Sequence, residues 1–522
     1  MAIRGTIPDT TQVLVAGGGP VGLATAVELG RRGIRCVVVE PRTTVSHARP
    51  RCKTVNVRTM EHLRRWGVAE RLRERAPLPT SWSQDVVFCT TLTGHELSRF
   101  SGVLGLAPDG DRFPEIGQQA PQYVLEELLR EVVTELDTCT LVTGLGVDAL
   151  DQKPDEVQVT LTDGAVISAE YVVGADGPRS TVRDQIGATY VGEHALRPNF
   201  GMVFHAPGLW KRVRHGPAVH YWTVNPAAPG LLGPLDLTGT WWFIAFGVDR
   251  ETGERRAGQL VHDATGTDVD VTVLSTDPWT AHMQLVDTVR HGRVFLAGDA
   301  AHLNPPFGGH GLNTGIGDAV DLGWKLAAVL DGWGGPALLD SYAAERRPIQ
   351  DAVIREATAN NAVLSTELLN ADLDADTADG DRARAAAHTQ IQATKKAEFH
   401  ALNLVLGLGC AASPVVVPDD DTARFETAGF RLPHVWLDPA TSLYDALGDG
   451  FTLVVTAGSG APGLEAAARA VPLTVLDLRG RDLRDRYGHD LLLVRPDQYV
   501  AWAGDHPPAD PAALLDRVRG AA

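Results

Sequence analysis

Gln12-Val-Leu-Val-Ala16 runs straight into Gly17-Gly18-Gly19-Pro20-Val21-Gly22, and Leu23 to Arg32 follows. The apolar run suits a strand buried on both faces. The glycine stretch matches GxGxxG. Leu23, Ala26, Val27 and Gly30 share one face of a helix that Gly33 stops. A second apolar run, Arg35-Cys-Val-Val-Val39, ends at Glu40. Strand, glycine-rich turn, helix and strand together predict a dinucleotide-binding α/β unit. Gly17 allows the tight turn, Gly19 lets the backbone approach a pyrophosphate, and Gly22 lets helix and strand pack closely. The helix N-terminus offers free N–H groups and a positive dipole end to the anion. Glu40 can accept from ribose hydroxyls, which favours FAD or NAD over NADP.

A second GxGxxG, Gly458 to Gly463, also follows an apolar run, Phe451 to Thr456. Its helix is short and Pro462 removes an N–H donor, so it reads as a turn.

The rest of the composition narrows the class. At 522 residues and 55.8 kDa the chain has room for two to four domains. Its hydrophobic share of 44% and charged share of 21% are those of a globular protein. The net charge of -18 makes it a poor partner for nucleic acid or an anionic membrane. Five cysteines at wide spacings give no CxxC and no disulfide framework, and no HExxH or zinc spacing occurs, so no metal is expected. Met1 to Gln12 is polar, unlike a signal peptide, and no run of about 18 apolar residues exists. The expected location is the cytoplasm.

Two further segments choose between FAD and NAD. Ala169 to Gly174 is a buried strand leading to Asp176-Gly177, with a helix opening at Ser180. Arg293 to Ala297 repeats the design and delivers Gly298-Asp299-Ala300-Ala301-His302 to a loop. Pro305-Pro306-Phe307-Gly308-Gly309-His310-Gly311-Leu312-Asn313 follows, then a helix read as Asp318 to Val329. Bare backbone N–H groups beside a helix start can hold negative charge on a flavin pyrimidine ring. Asp299 can accept from ribityl hydroxyls, although either aspartate alone would read as a helix cap.

These segments resemble the class A flavoprotein aromatic hydroxylases of the p-hydroxybenzoate and phenol hydroxylase type. The resemblance spans residues 12 to 348 and includes Asp321-Leu-Gly-Trp324-Lys325-Leu326 and Tyr342-Ala-Ala-Glu345-Arg346-Arg347-Pro348. It implies that Gly17, Gly19, Pro20 and Gly22 take the FAD pyrophosphate, Glu40 the adenosine ribose and Val147 the adenine edge. It places Asp176 between flavin and pyridine nucleotide, and Asp299 at the ribityl-pyrophosphate region. Pro306, Gly308, Gly309, Gly311, Leu312 and Asn313 would carry the isoalloxazine. Arg42, Arg51 and Gln122 match flavin-proximal positions, in a segment that departs from the commoner His-Pro-Arg-Ala form. His310 stands where Gln is commoner.

Residues 199 to 247 alternate and are rich in aromatics, which predicts strands with one face to a cavity. His205, Tyr221, Trp222 and Pro305 are the expected substrate contacts, and His220 or Tyr221 the candidate base for a phenol proton. Ala343 to Ala401 reads as helical, broken by an acidic loop from Ala371 to Asp381. The end of the chain resembles the thioredoxin-like domain of larger family members.

The expected fold class is therefore α/β: a Rossmann-type FAD-binding domain, an inserted β-sheet substrate domain and a C-terminal thioredoxin-like domain. The expected division is 1–185 and 285–395 for FAD binding, 186–284 for the substrate sheet and 396–522 for the appendage. The function implied is FAD-dependent hydroxylation of a small aromatic, phenolic and even polycyclic, substrate. NADPH or NADH is the reductant, dioxygen the co-substrate and a flavin C4a-hydroperoxide the oxygen donor. A Baeyer–Villiger oxygenase on the same scaffold and a non-catalytic flavin-binding protein are the alternatives. A halogenase is disfavoured because Trp241-Trp242-Phe-Ile-Ala245 lacks the Trp-x-Trp-x-Ile-Pro form. A homodimer is compatible with all of these.

Overall fold

The computed structural model describes residues 7–51, 53–194, 197–362, 368–418 and 427–522. Thr10–Ala16 is the central strand of the largest sheet. It pairs in parallel with Cys36–Glu40 on one side and Val166–Gly174 on the other. Cys139–Thr143 and Val294–Leu296 extend the parallel set at its two ends. All five strands point the same way, so Gly17, Glu40, Asp176 and Asp299 gather at one edge, where doubly wound sheets bind ligands. Pro20–Gly30 packs against His310–Leu330 over this sheet, and most apolar residues of both helices are buried.

The second sheet has seven strands, ordered Thr272–Thr280, Pro198–His205, Thr240–Phe246, Gly230–Pro234, His220–Thr223, Val86–Cys89 and Glu96–Phe100. Two of these strands come from residues that the sequence reading kept in the first flavin-binding segment. Val86–Cys89 pairs in parallel with His220–Thr223, a long-range match that local patterning does not reveal. Arg250–Thr265 covers one face of this sheet. Ala378–Phe399 lies along its Glu96–Phe100 edge.

Two helix boundaries differ from the sequence expectation. The helix after the glycine loop begins at His310, not Asp318, because Gly309 serves as its N-cap. The acidic stretch also ends early: Thr377 caps a helix at Gly380 N, and Asp379 and Asp381 sit in its first turn, where the dipole favours them.

At the C-terminus the strands are ordered Leu473–Asp477, Phe451–Val455, Leu491–Val494 and Val500–Gly504. The first pair is parallel and the others antiparallel, a thioredoxin-like arrangement closed by Pro511–Val518. It docks through buried charge. Arg495 contacts Glu345 and Asp321 at 2.8 and 3.0 Å, and Lys325 bridges the same two carboxyls. With Asp497, two cations face three acids. Burial raises the Asp321 carboxyl, and the Lys325 and Arg495 cations oppose that rise.

Candidate functional site: a glycine cradle beside an aromatic sheet

Each cradle residue is placed by its strand end. Gly17 has φ +103°, and a Cβ there would lie 2.3 Å from the Ala175 carbonyl oxygen. A Cβ on Gly22 would lie 1.9 Å from the Gly17 carbonyl oxygen. Only glycine fits either position. Gly19, by contrast, faces open space, with nothing within 4 Å of a Cβ. It caps Pro20–Gly30 without any side-chain bond, so the Val21 and Gly22 N–H groups are left for a ligand. The Glu40 carboxylate is buried. One oxygen accepts from Gly18 N at 2.8 Å, the other from Arg42 N and Nε at 2.9 and 2.7 Å. A carboxylate has about four acceptor sites, so lone pairs remain for a hydroxyl.

Arg42 also reaches Glu126 at 3.1 Å. Val147 starts a strand next to the Gly144–Gly146 turn, which lies against Glu40 and Pro41. Gln122 begins its helix and donates its N–H to Pro50 at 3.0 Å. Arg51 has φ +45°, a strained value for a residue with a side chain, and its charge acts on Asp299.

The two aspartates differ. Asp176 accepts from Ser180 Oγ at 2.5 Å and Val182 N at 3.1 Å, so it braces the start of Thr181–Gln185, whose N-cap is Ser180. Asp299 has no hydrogen bond to its carboxylate among the described residues, and burial raises its pKa. Beneath it lies a residue the sequence reading used only as a helix boundary. Asp318 accepts from Gly298 N at 3.1 Å, His302 Nε2 at 2.9 Å, Arg346 Nε at 2.8 Å and Gln350 Nε2 at 3.0 Å. Burial alone would raise its pKa, but Arg346 and His302 together hold it at about 2. This hub fixes the loop that presents Asp299.

Asn313 is fully engaged through its side chain. Its Oδ1 accepts from Asn56 N and Thr59 Oγ1 at 3.0 and 2.7 Å. Its Nδ2 donates to Thr54 O and Gly309 O at 2.9 and 2.7 Å. It therefore anchors the loop, and only its backbone N–H, with those of Gly311 and Leu312 in the same first turn, is left for a ligand. Pro305 is buried and Pro306 exposed at the loop's outer side.

The structure places the expected substrate residues on different faces and ends of the second sheet. The strand His220–Thr223 alternates, and Trp222 is the side chain that meets the loop, 5.9 Å from the Phe307 ring and 5.7 Å from Phe246. Tyr221 faces the other way. It packs on Trp241, and its hydroxyl donates to Gly216 O at 2.5 Å, which leaves it no phenol to orient. His205 pairs with Thr240 at the far end of its strand from the Asn199–Phe246 pair, about 20 Å along at 3.3 Å per residue. His220 shares the Trp222 face, but burial and the Lys53 cation push it down to about 3. It is a neutral contact and a weak base.

One pair went unseen in the sequence. Lys395 is buried, 4.6 Å from the Trp222 ring, and donates to Glu398 Oε2 and Asn360 O, each at 2.9 Å. Burial raises the Glu398 carboxyl, and Lys395 first and the Gly308 N–H after it partly offset this. A boundary at residue 395 cuts this pair in two.

The cradle fits a flavin dinucleotide. An uncapped helix N-terminus, a glycine that opens onto space and an unpartnered carboxyl converge at one sheet edge. Among the described residues no His, Cys, Asp or Glu group is arranged for a metal, and no helix is long and apolar enough to cross a membrane.

Comparison with known proteins agrees. The FAD binding domain family matches residues 10–357, and the aromatic-ring hydroxylase C-terminal family matches residues 426–522. The chain is 34% identical to tetracenomycin B2 monooxygenase-dioxygenase of Streptomyces olivaceus, over 97% of each chain. The structure of RebC soaked with chromopyrrolic acid and holding 7-carboxy-K252c superposes with TM-score 0.91 at 35% identity, covering 99% of this chain and 100% of that one. Aklavinone-11 hydroxylase with FAD and aklavinone gives 0.81 at 30% identity, covering 98% and 100%. The chain belongs to the family of FAD-dependent aromatic-ring hydroxylases, the class A flavoprotein monooxygenases.

Proposed function

We propose that this enzyme uses NADH or NADPH and dioxygen to hydroxylate a flat, phenolic and polycyclic aromatic substrate in the cytoplasm. The observation that carries the reading is the meeting of the loop Pro305–Gly311 with the aromatic face of the second sheet, where Phe307 packs on Trp222 and Phe246. The relatives named for tetracenomycin B2 and aklavinone support an aromatic substrate.

In this reading Gly17, Gly19, Pro20 and Gly22 hold the FAD pyrophosphate, Glu40 and Val147 the adenosine, and Asp299 the ribityl chain. Arg42, Arg51 and Gln122 flank the flavin. The Gly308–Asn313 backbone receives the isoalloxazine, and Asp176 lies between flavin and pyridine nucleotide. Bound flavin supplies oxygen activation, through a C4a-hydroperoxide. The protein's part is to orient the ring and exclude water, which the buried Trp222, Phe246 and Phe307 side chains do. Cationic Lys395 over Trp222 favours an electron-rich or anionic oxygen on the substrate.

The test is NAD(P)H oxidation in air across a panel of polycyclic phenols, with mass spectrometry of the products. Gain of one oxygen on a ring carbon supports the reading. A lactone or ester product, or FAD binding without substrate-stimulated oxidation, contradicts it.

A further inference from the structure

A cavity of about 80 Å³ lies between the flavin-binding and C-terminal domains, on the inner side of the helix His310–Leu330. Its lining includes Arg58, His62, His310, Cys410, Arg495 and Tyr499, so both domains build it. The half-exposed helix Leu402–Gly407 lies over it. That space holds several waters, since each needs about 10–15 Å³ of it. A polar group waits for them: among the described residues the Nδ1 of His62, which lines the cavity, is buried without a partner. Buried polar atoms left unpaired are costly, which favours a hydrated cavity over a dry one.

His310 also lines a second, smaller pocket together with Gly308, Thr54 and Leu104. Its ring lies so close under Gly308 that a Cβ there would sit 2.4 Å from Nε2. One imidazole thus separates the interdomain cavity from the loop that receives the flavin ring. Burial pushes this histidine down to about 4, so it rests neutral with one donor and one acceptor nitrogen.

The proposed reaction requires such a route. NAD(P)H, a proton, dioxygen and ArH give NAD(P)+, water and ArOH, so each turnover consumes one proton from solvent. A site walled by buried aromatics must still admit it. We propose that His310 is a proton-relay residue, carrying that proton from a water-filled interdomain chamber to the flavin loop. One ring nitrogen gives its proton to the flavin side as the other takes one from a chamber water. The resulting hydroxide takes a proton from hydronium or a buffer acid arriving from bulk solvent, which is the proton the turnover consumes, and the tautomer then resets. The inference rests on the proposed function for its purpose, but the hydrated chamber and ring do not.

Two arms test it separately. In protein labelled with 15N-histidine, with no FAD added, magnetisation transfer from water should reach the His310 ring, assigned by its loss in His310→Gln. No transfer means a dry chamber and overturns the proposal, whatever the chain catalyses. In FAD-loaded enzyme, proton uptake during reoxidation of the reduced flavin is followed with a pH indicator. We expect His310→Gln to slow uptake by about a hundredfold, the usual worth of a positioned acid–base group. Imidazole should restore part of the rate in His310→Ala, which a packing role would not allow. Uptake at the wild-type rate in His310→Gln overturns the relay. A chain that binds no FAD removes the proposed function and leaves the first arm to decide.

Discussion

Asp318→Asn should destabilise the protein and loosen the flavin cradle together. The carboxylate is buried and accepts four hydrogen bonds, from Gly298 N, His302, Arg346 and Gln350. Its pKa falls from an ordinary 3.8 to about 2. That drop corresponds to about 2.5 kcal/mol of stability at neutral pH. Removing one partner of a buried ion pair typically costs about 3–5 kcal/mol, because Arg346 is left buried and uncompensated. We therefore expect a loss of about 3 kcal/mol at pH 7, read from urea unfolding of the FAD-free protein by circular dichroism. The sign with pH follows from the depressed value. The stabilisation is complete above 3.8 and is lost as pH falls toward 2, so about half the gap between wild type and variant should vanish by pH 3. FAD affinity should fall too, since Gly298 and Asp299 share the loop that Asp318 holds. A gap below about 1 kcal/mol at pH 7, or one that widens with acid, would refute the assignment of Asp318 as a charged hub.

Asp299→Ala should weaken FAD binding about ten- to a hundredfold in a fluorescence titration with little change in the unfolding midpoint, because its carboxylate accepts no hydrogen bond among the described residues. Gly22→Ala should yield protein that takes up no FAD, since the new Cβ would meet the Gly17 carbonyl oxygen at 1.9 Å. Tyr221→Phe should cost about 1 kcal/mol of stability from the lost bond to Gly216 and leave substrate-dependent turnover intact. Trp222→Ala should abolish substrate binding with FAD content preserved, and the reverse pattern would invert the assignment of the strand's two faces.

The flavin half of this protein was legible because its signals are local. Gly17, Gly22 and Glu40 lie within one strand–helix–strand unit, and the same backbone constraints that select glycine there are visible as sequence spacing. The thioredoxin-like end was legible as a resemblance, and its strand order agrees. The substrate half was not. Alternation along His220–Thr223 reveals two faces but not which one meets the loop, and the expected base, His220 or Tyr221, spans both faces. The second sheet closes through Val86–Cys89, more than a hundred residues from its partner, which no periodicity announces. Asp318 and Lys395 read as ordinary charges within helical patterns. Only burial and their partners set them apart: Arg346 and His302 for one, Glu398 and the Trp222 ring for the other.

Oxygenation under 18O2 is the most direct test of the hydroxylase reading. Enzyme loaded with FAD, NAD(P)H and an accepted polycyclic phenol should place one 18O atom on a ring carbon for each NAD(P)H consumed. The second atom should leave as labelled water. Retention of the intact ring with a new C–18O–H bond is the predicted product. A product in which 18O is inserted between two carbons, or labelled peroxide with no labelled product, would contradict it.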